Sequence, residues 1–211
     1  GALFLAQFPA YARFVLRGGE SAVTMLLATF TVGIGIGSML CERMSGKHVE
    51  IGLVPFGSIG LTLFGLDLYF ASPVGLVGTT PHELLALLSI PAIWRVLFDL
   101  MMLGVFGGFF IVPMYALVQL RSSPNHRARI IAANNILNAL FMVVGALGAA
   151  SLLGAGLSMP ALFALAALLN ALVAIYIYGL VPEFLLRFIA WLLVKAVYRL
   201  RTEGLQHIPD E

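Results

Sequence analysis

Seven side chains could do chemistry in a chain that otherwise carries little polar material inside its apolar runs. Asp67, Arg95 and Asp99 are charges placed within such runs, where an ionisable residue marks a substrate path, an ion path or a buried partner. Arg95 and Asp99 are four apart and therefore share one helix face. With Asp67 they could hold an anionic or zwitterionic headgroup, or exchange partners as a gate. The plainer reading is a static ion pair between Arg95 and Asp99 that lets a charge be buried at all. Asn134, Asn135 and Asn138 lie close together, with Asn170 alone in the following run. Asn134 and Asn138 share a face. Amides so placed either line a polar cavity or bond neighbouring helices, the latter worth about 0.6 kcal/mol each. Tyr115 and Gln119 read as packing and interface residues.

Enzymatic constellations are missing. The four histidines (His48, His82, His126, His207) fall in loops, and no two have metal-ligand spacing. Nothing suggests a cofactor. The single Cys41 excludes a disulfide framework and a Cys-based metal site.

The composition says what positions these residues. Of 211 residues, 61% are hydrophobic and 10% charged, and the mean hydropathy is +1.01. Too few polar groups exist to cover a globule in water, which excludes a soluble enzyme, a disordered chain and a nucleic-acid binder. The net charge of +2 is too small to imply a polyanionic partner. This composition belongs to a membrane protein.

Five segments are long and apolar enough to cross a bilayer: Ser21–Cys41, Glu50–Ala71, Ala92–Leu120, Ile130–Gly154 and Met159–Val181. No ten-residue alternation suggests a barrel, so helices are expected. The run from Gly1 to Phe8 is too short to span and reads as part of a sixth helix. The chain begins without methionine inside that apolar run and ends in a polar tail from Thr202 to Glu211. It is expected to be a segment of a longer protein, and no signal peptide is visible.

Charge sets the expected orientation. Arg43, Lys47, Arg121, Arg127, Arg129, Arg187, Lys195, Arg199 and Arg201 fall on one side if the spans alternate, and the loops 72–91 and 155–158 opposite hold no Lys or Arg. The positive-inside rule then puts the first set, and the C-terminus, in the cytoplasm. Arg13 and Arg17 break the pattern. Trp94 and Tyr69 sit at the outer boundary, as aromatic belt residues do.

Small residues recur at helix-contact spacing in Gly33/Gly37, Gly104/Gly108 and, more loosely, Gly145/Ala149. A dinucleotide loop at Gly33–Gly37 is the poorer reading, because no strand precedes it. After Pro182 the pattern changes. Glu183, Arg187, Trp191, Lys195 and Arg199 recur every four residues against a wide apolar face. That arrangement fits a helix lying in the interface with its cations toward anionic headgroups. As a span it would bury Arg187 and Lys195 at about 2.5–3.5 kcal/mol each.

Three stretches carry a family resemblance. The loop Gly37-Ser38-Met39-Leu40-Cys41-Glu42-Arg43-Met44-Ser45-Gly46-Lys47 resembles the signature between paired helices of major facilitator superfamily transporters, with Cys41 where strict spacing has an aspartate. The stretches Gly107–Gln119 and Arg127–Met142 resemble the lysophospholipid-transporter branch of that superfamily. The resemblance covers about Gly1–Val181 and corresponds to the end of helix seven through helix twelve. It implies inward movement of lysophospholipids across a bacterial-type inner membrane, followed by re-acylation. It also implies an N-terminal six-helix half as partner, and a latch at Gly37, Glu42, Arg43, Gly46 and Lys47. The stretch Tyr198–Pro209 looks like the lead-in to a glycerophospholipid acyltransferase domain, whose His-x4-Asp signature is not present here.

The expected fold is thus all-α integral membrane. It is the C-terminal six-helix half of a major facilitator bundle with its first helix truncated (1–181), a cytoplasmic interfacial amphipathic helix (182–201), and the start of an acyltransferase domain (202–211). Arg95, Asp99, Asp67, Asn134 and Asn138 are the expected substrate-binding residues, with Arg95 on the phosphate. Arg187, Lys195 and Arg199 are expected to meet membrane lipids. Two alternatives stay open: a membrane anchor for an acyltransferase, and a facilitator for another small substrate.

Overall fold

A segment without water around it must close its backbone hydrogen bonds internally, and the described residues do so by forming helices. In a computed structural model, which describes residues 2–45, 52–73 and 83–197, all eight elements are helices. They are α1 (Ala2–Phe14), α2 (Glu20–Ser45), α3 (Leu53–Ala71), α4 (Leu84–Leu88), α5 (Pro91–Arg121), α6 (Arg127–Gly154), α7 (Met159–Leu180) and α8 (Pro182–Val197). Five of them, α2, α3, α5, α6 and α7, are long and apolar enough to cross a membrane. The chain is a multi-pass membrane protein.

Proline and glycine punctuate the helices where their chemistry demands it. Pro91 and Pro160 sit in the first turns of α5 and α7, where a missing N–H costs nothing. The Ser158 side chain caps α7 by accepting from the Ala161 N–H at 3.3 Å. At the end of α6, Gly156 takes φ +95°. The Gly156 N–H then reaches the Leu153 carbonyl, and the Leu157 N–H the Leu152 carbonyl, each at 3.0 Å. That paired closure is a Schellman turn, and it reverses the chain into α7 within a few residues.

The contacts define the directions. α2 and α5 run parallel, since Gly33 faces Gly104 and Gly37 faces Val105 and Gly108. α3 runs antiparallel to α5, with Gly57 against Phe106 and Phe110 at one end and Asp67 bonded to Arg95 at the other. α7 runs antiparallel to α3, joined where the Asn170 amide donates to the Ser58 carbonyl (3.1 Å) and to Thr62 Oγ1 (2.9 Å). Alternating crossings therefore put Arg43, Arg121, Arg127 and Arg129 at one end of the bundle, the basic end.

Four glycines make the α2–α5 seam possible. A Cβ on Gly33, Gly37, Gly104 or Gly108 would collide with backbone atoms of the opposite helix. The backbones thus approach as closely as chains can, and dispersion supplies the attraction that lipid tails deny to larger apolar side chains. A core of Phe8, Tyr11, Leu26, Leu68, Leu100 and Phe163 joins α1, α2, α3, α5 and α7 beyond that seam. α6 stands apart from this core. Only Ala149 is buried along it, and Ile136, Phe141, Val144 and Leu147 are exposed.

Three details differ from the sequence-based expectation. α2 continues through Ser45, so Glu42 and Arg43 ride on its last turns and not in a loop. The segment 72–91 contains the short helix α4. The N-terminal run forms a 13-residue helix through Pro9, packed into the core by Phe4, Phe8 and Tyr11.

Candidate functional site

The five residues expected to form one substrate site belong to two places. Asn134 and Asn138 lie toward the basic end, whereas Asp67, Arg95 and Asp99 cluster at the opposite end of α3 and α5. Along α5, Tyr115 comes twenty residues after Arg95, about 30 Å of helix axis. No single headgroup touches both.

The first place is a cavity of about 900 Å³ between α1, α5 and α6. Its wall is apolar along Leu3, Phe110, Ile111, Met114, Val118 and Met142. Its polar lining is Gln7 from α1, Tyr115 from α5, and Asn134, Asn135 and Asn138 from α6. The Asn138 amide donates to the Tyr115 hydroxyl at 3.0 Å, which ties α6 to α5 across the cavity. Helical spacing explains the cluster: 134 and 138 stack on one face of α6, with 135 beside them. Gly145, with no atom within 4 Å of its Cβ position, lets the apolar end stay wide. Among the described residues no charged side chain lines this space. An apolar trough with a few amide and hydroxyl groups is the usual build of a small-molecule site.

Two of these polar residues were not anticipated. Tyr115, read from sequence as packing, is the hydroxyl partner of Asn138 and part of the cavity wall. Gln7 gave no signal, because the α1 run is too short to mark it as facing a cavity. Pro113 marks the same stretch of α5. It sits within α5 beside Met114 and Tyr115, and it removes one helical hydrogen bond next to the lining residues.

The second place is the Asp67–Arg95–Asp99 cluster. Arg95 does not pair with Asp99, as its spacing suggested, but reaches across to α3. Its Nη2 donates to Asp67 Oδ1 at 2.5 Å and its Nε to Asp67 Oδ2 at 3.2 Å, a two-pronged pair. Both partners keep some access to the outside, at 53% and 35% of their side-chain surface. Asp99 is fully buried one turn below Arg95, and neither carboxylate oxygen has a hydrogen-bond partner. Nearby, the Tyr11 hydroxyl bonds Ser72 Oγ at 2.8 Å, and Ser72 in turn donates to the Leu68 carbonyl at 2.6 Å. Arg95 is therefore engaged by Asp67, away from the cavity.

At the basic end, Gly37 serves the α2–α5 seam. Glu42 and Arg43 are exposed, and among the described residues no ion pair joins them to each other. Gly46 and Lys47 lie outside the described residues, so the other half of the expected latch does too. α8 docks on the start of α3. The backbone at Arg187 and Phe188 passes close to Gly52, and Phe188 stacks near Phe56 with ring centroids 6.4 Å apart. Glu183 bonds Arg187 one turn on at 3.0 Å and lies 3.9 Å from Arg121 at the end of α5. Leu185, Leu186, Ile189, Leu192 and Leu193 are exposed along α8. Lys195 is helical, and Arg199 lies outside the described residues.

His126 is bonded by Ser123 at 2.9 Å ahead of α6, and Cys41 is buried in a small cluster with Leu53, Val105 and Phe109. Among the described residues no group of three or more His, Cys, Asp or Glu converges on a metal position. The chain matches no protein-family model, no curated protein and no solved structure.

Proposed function

We propose that this bundle binds single-chain phospholipids and moves them across the membrane as the C-terminal half of a facilitator-type transporter. The cavity between α1, α5 and α6 carries the reading. Its apolar wall suits one acyl chain, and Gln7, Tyr115, Asn134, Asn135 and Asn138 offer hydrogen bonds to glycerol, phosphate and amine groups. A lining whose described residues carry no charge suits a zwitterionic headgroup, which needs dipoles more than a counter-ion. The resemblance of Gly107–Gln119 and Arg127–Met142 to lysophospholipid transporters supports the same assignment, since those stretches supply most of the lining.

The exposed flank of α6 completes the proposal. A second six-helix half would cover that flank and close the cavity, so that rocking of the two halves opens it to each side in turn. α8 then lies along the cytoplasmic surface, held by Phe188 and Arg121, with Arg187 toward anionic headgroups. An acyltransferase following the tail would meet the lipid on arrival. The residues that suggest that enzyme, 198–209, lie outside the described part.

The direct test is saturable binding of lysophosphatidylethanolamine to the chain in nanodiscs, read by native mass spectrometry. Asn138→Leu with Tyr115→Phe should weaken it about tenfold, the equivalent of about 1.4 kcal/mol. No saturable binding, or variants that bind like the parent sequence, would sink the assignment.

A further inference from the structure

We propose that Asp99 is a proton-binding site, and that the Asp67–Arg95–Asp99 cluster is a partner-exchange switch driven by that proton.

Asp99 is fully buried on α5 and both its oxygens lack a donor. An ionised carboxylate accepts hydrogen bonds and cannot give one. Across the helix contact it meets the Asp67 carboxyl on α3, within hydrogen-bonding reach once either acid holds a proton. Two carboxylates that face each other cannot both be charged in an apolar setting, and a shared proton turns the repulsion into a bond. The remaining neighbours do not supply that proton's equivalent. Arg95, on α5 itself, is engaged by Asp67 through two hydrogen bonds. Tyr11, from α1, is engaged by Ser72. The residues that α2, α4 and α7 bring to this core (Ala22, Leu26, Phe30, Leu87 and Phe163) do not ionise. A metal cation would need more oxygen donors than one free carboxylate provides.

The proton belongs on Asp99 and not on Asp67. Asp67 has the guanidinium, and Asp99 has the deeper burial. The geometry also supplies the alternative state. Arg95 and Asp99 are four apart on α5, so the guanidinium can fold back along its own helix to Asp99. In that exchange the O–H bond on Asp99 breaks, a new O–H bond forms on Asp67, and Arg95 changes partner. The net charge of the cluster is zero before and after, so no uncompensated charge is created in the low-dielectric interior. Asp67 keeps 35% of its side-chain surface accessible and is the route between Asp99 and water. Because the two acids ride on α3 and α5, the exchange separates or joins the ends of these helices.

The test is infrared spectroscopy of the full chain in nanodiscs. At neutral pH the spectrum should contain the carbonyl stretch of a protonated carboxylic acid, shifted in D2O and missing from Asp99→Asn. That variant is shaped like the protonated acid and should keep the parent unfolding temperature. In Asp67→Asn, Arg95 has lost its partner and turns to Asp99, so the band should fall to less than half. A band that is absent from the parent protein, or that survives in Asp99→Asn, overturns the proton site. A band that vanishes on adding sodium ions replaces the proton with a metal cation and also overturns it. A band of undiminished strength in Asp67→Asn overturns the exchange.

Discussion

The α2–α5 seam and the flank of α6 use the same small residues to opposite ends. On the seam, Gly33, Gly37, Gly104 and Gly108 bring two backbones into contact, and no Cβ could be added. On α6, Gly145 and Gly148 have no atom within 4 Å of the same position, and Gly145 widens a cavity. A small residue in a span permits close approach but does not say what approaches. On one helix the visitor is a neighbouring helix. On the other it is the space that we assign to a lipid.

The sharpest way to break this contrast is one substitution made in both regions. Gly104→Leu drives a side chain into the backbone of Phe30, Gly33 and Ile34 and should cost about 3 kcal/mol, at the upper end of overpacking. Thermal unfolding in detergent should show a large drop or failure to assemble. Next in size is Asn138→Leu alone, which should weaken lysophospholipid binding several-fold while the unfolding temperature stays put. A binding loss matched by an equal stability loss would make Asn138 a packing residue.

A smaller effect is expected at Asn170, whose amide clasps α3 to α7 through Ser58 and Thr62. Asn170→Leu should lower stability by about 0.6–1.7 kcal/mol, the range measured for such bonds within membranes, and leave binding alone. Smallest of all is Gly148→Leu, which meets open space. It should change stability by less than about 0.5 kcal/mol. Equal damage from Gly104→Leu and Gly148→Leu would erase the distinction between seam and flank.

The two polar clusters show how far residue spacing carries. Asn134 and Asn138 could be placed on one face because a helix repeats every 3.6 residues, and both do line one cavity. The same rule misled at Arg95. It put Asp99 on the same face and suggested a pair, but the partner is Asp67, 28 positions away on α3. Periodicity ranks neighbours along one helix and is blind to those brought by another. Tyr115 and Gln7 escaped for that reason too, since each acquires its role from side chains on different helices. The Glu42–Arg43 latch was read into a loop, and the helix simply continues through both residues.

By itself, the sequence determined that this is a helical membrane protein with five spans, their approximate limits and the basic end that their charges share. Those properties follow from local quantities: the run length needed to cross hydrocarbon, and the cost of leaving backbone groups unpaired there. Tertiary structure alone decided which glycines face a helix and which face a cavity, which acid holds Arg95, and that Asp99 is left buried and unpartnered. The physical reason is that side-chain contacts between helices depend on how the helices rotate and cross. In lipid that choice is made by packing and scarce polar bonds, because hydrophobicity is satisfied on every side.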